Sequence, residues 1–388
     1  MAVPFSYSIR NLWTRKITSM LTAAGMALVT FVFAAVLMLA EGLEKTLVDT
    51  GSPENVIVLR GSAETEVSSV IDRESAQVIA VQPETAQGPQ GDSLAAMETL
   101  VLVTLPKATT GTPTNVVVRG VGPRSMDLRP RLNIIAGRNI RPGSREVIAG
   151  RSAAKSIQGG SIGSTLKFAL SEWKIVGLFD SGGSAFDSEV WADSDQLMSA
   201  FRRNSFSAVV MKVPGREPFQ DLKRRLESDP RLSVQVQREV DFYRGQSEVM
   251  AAFIRILGLA MTLFFSVGAI LGAMVTMYTA VANRTHEIGT LRALGFPRTG
   301  VLLAFLTESA LLGLFGGSIG VLAGSTLQLI TISTMNWETF SELAFGFTLT
   351  APIAAYSLAF SLSMGLLGGF LPAWRAAHLK IVDALRES

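Results

Sequence analysis

The chain has 388 residues, 48% hydrophobic and 17% charged, with a mean hydropathy of +0.34. It is too apolar for a wholly soluble protein and too charged for one lying entirely in lipid, so a membrane part joined to a sizeable aqueous domain is expected. The formal net charge of +3 includes no basic run able to track a phosphate backbone, which excludes nucleic acid as an expected partner, and the absence of cysteine excludes disulfides and thiolate metal sites. No metal site is expected.

Residues 4–16, PFSYSIRNLWTRK, set Phe5, Ile9, Leu12 and Trp13 at helical spacing among Arg10, Arg15 and Lys16. This pattern predicts an interfacial helix over 1–16, followed by an uncleaved first membrane span over 17–42. Three further apolar runs predict spans at 251–282, 299–330 and 351–374, each long enough to cross a hydrocarbon core of ~30 Å. The rest divides into an aqueous domain with stalk segments (43–250), a polar connection (283–298), a second connection (331–350) and a tail (375–388).

Basic residues cluster in three short flanks: Arg10, Arg15 and Lys16; Arg284, Arg292 and Arg298; and Arg375, Lys380 and Arg386. The segment between spans three and four carries Glu338 and Glu342 without a basic residue. The charge rule then places both termini in the cytoplasm and the large domain outside.

Within 43–250, β-branched runs at 55–60, 98–105, 114–120, 164–170, 172–179, 206–213 and 231–237 read as strands, whereas 68–80, 195–201 and 218–228 read as helices. Residues 82–95 and 106–114 read as turn-rich loops. The expected fold class is therefore a four-helix membrane part carrying a large α+β extracytoplasmic domain, joined by a helical stalk. A proline-free pattern runs from Glu239 to Ala282, and as one helix it would reach ~65 Å, about twice the hydrocarbon thickness. Span one is expected to continue likewise through EGLEKTLV.

The polar connection reads NRTHEIGTLRALGFPR, from Asn283 to Arg298. A helix from about Arg284 to Leu294 puts Ile288, Leu291 and Leu294 on one side and Thr285, Glu287 and Arg292 largely on another. Gly295 suits a left-handed C′ residue, with Phe296 folding back and Pro297 stopping the helix. On pattern alone this is either a docking helix or a membrane-surface element. The stretch resembles the inner loop of the MacB/FtsX/LolC-type permeases of ATP-binding-cassette (ABC) systems, whose pattern is close to R-x-x-E-I-G-x-L-R-A-L-G. The positions carrying the match are Arg284, Glu287, Ile288, Gly289, Leu291, Arg292, Ala293, Leu294 and Gly295. The tail, PAWRAAHLKIVDALRES, is similar to the C-terminal motif of the same family, with Ile381 where that family usually has proline. Residues 146–180 look like its periplasmic core domain.

The resemblance implies that Arg284, Glu287, Ile288, Leu291, Arg292, Leu294 and Gly295 form a coupling helix seated in a groove of a separate ABC ATPase subunit. It implies no cofactor in this chain, ATP and magnesium being held by that partner. No G-x-x-x-x-G-K-[ST] loop occurs: the glycine-rich stretch from Gly159 to Thr165 lacks the lysine, so this chain is not expected to bind ATP in that manner or to act as an enzyme. The expected assembly contains a second copy of the chain, the lipid bilayer and a periplasmic adaptor or membrane-fusion protein. The expected function is a permease that exports or extracts an amphiphilic substrate by mechanotransmission. The alternative is an FtsX-like subunit signalling to a periplasmic cell-wall enzyme.

Other residues invite paired readings. Glu308 falls roughly 15 Å into span three by helix rise, where a carboxylate is protonated, paired or facing a wet crevice. It serves either as a substrate or conformational contact or as an interhelical bond that fixes packing. Gly268 and Gly272, Gly316, Gly320 and Gly324, and Gly365 and Gly369 recur in steps of four, which suits close helix approach. Trp337, Phe340, Phe345 and Phe347 either anchor helix ends in lipid or rim a path for an amphiphile.

Overall fold

The computed structural model describes residues 16–89 and 91–381. The expected interfacial helix before Lys16, and Val382, Ala384, Leu385 and Arg386 of the tail motif, lie outside the described residues. In chain order the helices are α1 (Lys16–Val48), α2 (Arg73–Ala80), α3 (Arg151–Ser156), α4 (Ser194–Ala200), α5 (Arg216–Ser228), α6 (Glu239–Ala282), α7 (Thr285–Ala293), α8 (Arg298–Ser325) and α9 (Ala351–Ala377). The chain forms two compact units, one of Met1–Glu41, Ala252–Ile330 and Phe347–Ser388, the other of Gly42–Ala251 and Thr331–Gly346.

In the second, globular unit the apolar runs become strands because both faces find cover. The strands are β1 (Asn55–Arg60), β2 (Ile71–Asp72), β3 (Ala95–Pro106), β4 (Pro113–Val121), β5 (Asn133–Gly137), β6 (Glu146–Gly150), β7 (Thr165–Phe168), β8 (Ser171–Asp180), β9 (Val190–Asp193), β10 (Ser205–Phe206), β11 (Ala208–Lys212) and β12 (Val234–Arg238). A mixed sheet runs in the order β12-β1-β11-β3-β4-β9-β6-β8-β5, with β7 added on β8. The β4–β9 and β6–β8 pairs are parallel. One core packs Val103, Val118, Leu166, Trp173 and Leu197; another packs Val58, Ile79, Met211 and Leu222. Phe168 stacks on Trp173 with ring centroids 5.0 Å apart.

Local chemistry moves several boundaries from those expected. The helix expected from residue 68 begins only at Arg73, because Asp72 caps it by accepting the Ser75 N–H at 2.8 Å. The loop expected over 106–114 shrinks to the turn of a hairpin that pairs Pro106 with Pro113. The short β5, β6 and β9 carry too few residues to show a period in the sequence. The connection between the third and fourth apolar helices is a β-hairpin, β13 (Thr331–Met335) with β14 (Glu342–Gly346), and it belongs to the globular unit. Its Lys107–Glu342 ion pair at 3.2 Å and the Ser188 hydroxyl contact to the Ala344 N–H seat it there.

The central strands β3 and β4 contribute Glu98 and Arg119 to a buried ionic cluster. Arg119, 1% exposed, uses each of its five N–H groups on Glu66, Glu98 and Glu189, at 2.7–3.1 Å. Arg129 donates to both oxygens of Glu98 at 2.6 and 2.8 Å. The Tyr243 hydroxyl donates to Glu66, and Trp191 Nε1 to Glu189. Glu239, the first residue of α6, accepts from the Ser52 N–H and Asn55 Nδ2. Burial raises the Glu98 carboxyl, but Arg129 and Arg119 outweigh it and hold the group below the usual range. Burial keeps Glu189 above its usual value despite Arg119.

In the helical unit, α1, α6, α8 with its following turn, and α9 are long and apolar enough to cross a membrane. Small residues set their spacing. A Cβ on Gly316 would stand 2.7 Å from the Ala23 carbonyl oxygen, and one on Gly320 would stand 2.6 Å from that of Ala27, so α8 lies directly against α1. Gly365 approaches the Ser309 carbonyl similarly, and Gly369 meets the Ser309 side chain. Gly324 meets only ordinary van der Waals neighbours. Close packing fails at Gly268 and Gly272, which have nothing within 4 Å of an added Cβ. They line an open apolar groove of about 430 Å³ between α1 and α6, with Leu21, Val29 and Phe265.

Candidate coupling site

The segment between α6 and α8 is built from its ends inward. At the start, the Asn283 and Arg284 N–H groups bond back to the Thr279 and Val281 carbonyls, winding off α6 before α7 begins. At the other end, Gly295 takes φ +91, its N–H bonds to the Arg292 carbonyl, and the Phe296 N–H reaches that of Leu291. This pair of bonds is a Schellman closure, which needs a left-handed residue where Gly295 stands. Pro297 then occupies the N-cap of α8, where no N–H is wanted. The Arg292 guanidinium adds a long contact to the Phe296 carbonyl at 3.4 Å.

Three residues key α7 into the helical unit. Ile288, 2% exposed, sits in a core made of Ala23, Met277, Val281, Val301, Phe305 and Ala373, drawn from all four long helices. Arg284 donates Nη1 to Glu308 at 3.1 Å and Nε to Glu287 at 3.2 Å. Its guanidinium lies 5.1 Å from the Phe305 ring centroid. Arg284 and Glu308 are 8% and 5% exposed. A carboxylate within an apolar helix and a guanidinium at the head of the loop thus satisfy one another, which is what both require when withdrawn from water.

The residues expected to form one docking face therefore separate. Arg284 and Ile288 are buried against the bundle instead of lying on an exposed docking face. Leu291 and Arg292 are half-buried, whereas Glu287 and Leu294 are exposed beside His286 and Thr290. The apolar stripe does not turn inward as a whole: Ile288 is buried and Leu291 half-buried, whereas Leu294 is 71% exposed. The Arg284–Glu308 bond has no sequence signature beyond two unusual charges 24 residues apart. Gly313 and Gly317, themselves four residues apart, and Gly368 also make close helix contacts.

The aromatic residues of the 331–350 connection divide as well. Phe345 is 3% exposed inside the hairpin's packing; Trp337 and Phe340 are exposed at the tip, and Phe347 is half-buried.

Two family models match: a MacB-like periplasmic core domain over residues 19–229 and an FtsX-like permease C-terminal region over 259–381. The chain is 29% identical over 223 residues to the ABC transporter permease YknZ of Bacillus subtilis, covering 55% of this chain and 52% of that protein. It is 36% identical over 115 residues to the macrolide export ATP-binding/permease protein MacB of Syntrophobacter fumaroxidans, covering 30% of this chain and 15% of that protein. The match thus spans about half the length of YknZ and less of MacB. Among solved structures, the extracellular domain of YknZ aligns with 47% of this chain and 99% of that one, at 16% identity and a TM-score of 0.36. The periplasmic region of MacB from Actinobacillus actinomycetemcomitans aligns with 49% and 90%, at 11% identity and a TM-score of 0.37. With one family model covering more than half of its residues and a second covering the segment between α6 and α8 and the last two long helices, the chain belongs to the MacB/FtsX-type family of ABC transporter permeases.

Proposed function

We propose that this permease couples ATP hydrolysis on a separate ABC ATPase, which holds ATP and magnesium, to movement of its periplasmic domain, so exporting or extracting an amphiphilic substrate. The observation that carries this reading is the Arg284–Glu308 bond at 3.1 Å. It ties α7, which leaves Glu287 and Leu294 outward for a partner, to the interior of α8. A displacement of α7 is then passed to a span instead of being absorbed by a loop. α6 offers the next link: it is one unbroken helix of 44 residues whose first residue, Glu239, is bonded to Ser52 and Asn55. A continuous helix transmits displacement where a flexible linker would absorb it.

The remaining parts of the reading follow the same lines. The open α1/α6 groove and the exposed Leu28, Phe264 and Leu271 on those helices support association with a second copy in the inner membrane. The exposed Trp337 and Phe340 are the residues left to rim a path for an amphiphile, and a periplasmic adaptor would engage the globular unit. Both termini are assigned to the cytoplasm on the charge distribution.

Because the chain contains no cysteine, a single Leu294→Cys variant carrying a short photocrosslinker tests the partner directly. The reading expects an adduct with an ABC ATPase in native membranes and none from Val81→Cys, an exposed position in the globular unit. Equal yields from the two positions, or no ATPase adduct, contradict it.

A further inference from the structure

Within the globular unit, a groove of about 370 Å³ lies between the loop after β1, the outer side of β12, the head of α6 and the tip of the β13–β14 hairpin. Its walls bring together Glu64, Gln237, Asp241, Phe242, Gln246 and Glu338. The charges do not balance. Asp241 is paired with Arg244 at 2.9 Å. Among the described residues, however, neither Glu64 nor Glu338 has an ion pair or a side-chain hydrogen bond. Partial burial and the nearby Glu64 charge hold the Glu338 carboxyl above its usual value, the signature of acids facing one another without a cation.

A second observation is independent of the acids. Gln246 is only 6% exposed, yet among the described residues its carboxamide bonds to nothing, although it faces this groove. A residue otherwise withdrawn from solvent thus offers the groove a carboxamide that no protein group uses, which a ligand there can engage. The floor beside it is the Phe242 ring, 5% exposed, which suits a methylene chain. Glu338 is held in place rather than waving in solvent: its N–H bonds to Asn336 Oδ1 at 3.0 Å, and the tip is tied down by the Asn115 side chain to the Phe340 carbonyl at 3.1 Å.

From this arrangement we infer that the groove is a binding site for a small aliphatic ammonium compound. The ammonium group sits between Glu64 and Glu338, the Gln246 carbonyl accepts one of its hydrogens, and the alkyl chain lies over Phe242. Occupation joins the hairpin tip to the head of α6 by a bridge that the empty groove lacks. The inference stands on the groove alone and does not depend on the ATPase reading.

The test is isothermal titration of the full chain in lipid discs with putrescine, at constant ionic strength and with butanediol as the uncharged counterpart. The expected result is saturable binding of putrescine and none of butanediol. Affinity should fall about tenfold in Glu64→Gln and in Glu338→Gln, the effect of removing one unit charge near a partly hydrated cation. Glu172→Gln, at an exposed carboxylate paired with Lys167 on another strand, should leave affinity unchanged. Hydrogen exchange on the unsubstituted chain gives a readout that needs no variant: putrescine should slow the amides of 241–246 and 337–340. Absence of saturable binding, equal affinity in Glu338→Gln, or slowing confined to other segments would overturn the assignment.

Discussion

Arg284 and Glu308 are 24 residues apart in sequence, and the guanidinium Nη1 of one donates to the carboxylate Oε2 of the other at 3.1 Å, with both side chains withdrawn from solvent. Removing one partner leaves the other charged and buried, which typically costs about 3–5 kcal/mol, whereas replacing both by apolar residues of similar size costs much less. Arg284→Met and Glu308→Met should therefore each lower the unfolding temperature in detergent sharply, and the double variant should recover most of the loss. Additive losses would show that the two residues act separately.

The glycines give a contrast within one fold. Gly320→Ala forces a Cβ to 2.6 Å from the Ala27 carbonyl, so it should destabilise by about 1–3 kcal/mol through overpacking. Gly268→Ala meets no atom within 4 Å and should be neutral or stabilise the helix by up to about 1 kcal/mol. Thermal unfolding of the two variants side by side checks this ordering.

In the globular unit, Arg119 is the hub of the buried cluster, bonded to Glu66, Glu98 and Glu189. Arg119→Met leaves Glu66 and Glu189 without a cation, while Glu98 keeps Arg129, and should cost about 3–5 kcal/mol, read as a fall in the temperature at which the near-ultraviolet circular dichroism of Trp173 and Trp191 is lost. Retention of the parent melting temperature would show that the cluster contributes little.

Glu146 supplies a pH dependence of known sign. Its hydrogen bond to Arg138 outweighs burial and lowers its pKa from 4.5 to about 2 in the folded chain. The folded state then binds fewer protons than the unfolded one between those values. The stabilisation is complete above pH 4.5 and is lost as pH falls towards about 2. Glu146→Gln should flatten that part of the stability–pH curve and leave the region above pH 5, roughly beyond the unfolded titration, with a constant offset.

How much of this was legible in the sequence depends on the length of each signal. Long apolar runs and the proline-free stretch to Ala282 announce α1, α6, α8 and α9, because a period repeated over many residues survives local noise. The Gly295-Phe296-Pro297 stop is legible because each residue type has one backbone use there. The β13–β14 hairpin was not, since its aromatic residues suit an interfacial anchor as well as they suit a strand. Nor was the inward turn of Arg284, because an arginine beside a span reads as cytoplasmic flank unless its carboxylate partner is known. Gly268 and Gly272 share the spacing of the packed glycines but face open space, a difference that lies in neighbouring helices and not in local sequence.

The most direct test of the central claim, that the exposed side of α7 engages an ATPase, is recovery of the tagged chain from native membranes with ATP hydrolysis assayed on the isolated complex. The parent chain should carry an ABC ATPase and its activity. Glu287→Ala with Leu294→Ala, both at exposed positions, should lose both, with an unfolding temperature lowered only by the loss of the Arg284–Glu287 bond, worth about 1 kcal/mol or less. Retention of the ATPase by that double variant, or its absence from the parent complex in gentle detergent and in lipid discs alike, would contradict the account.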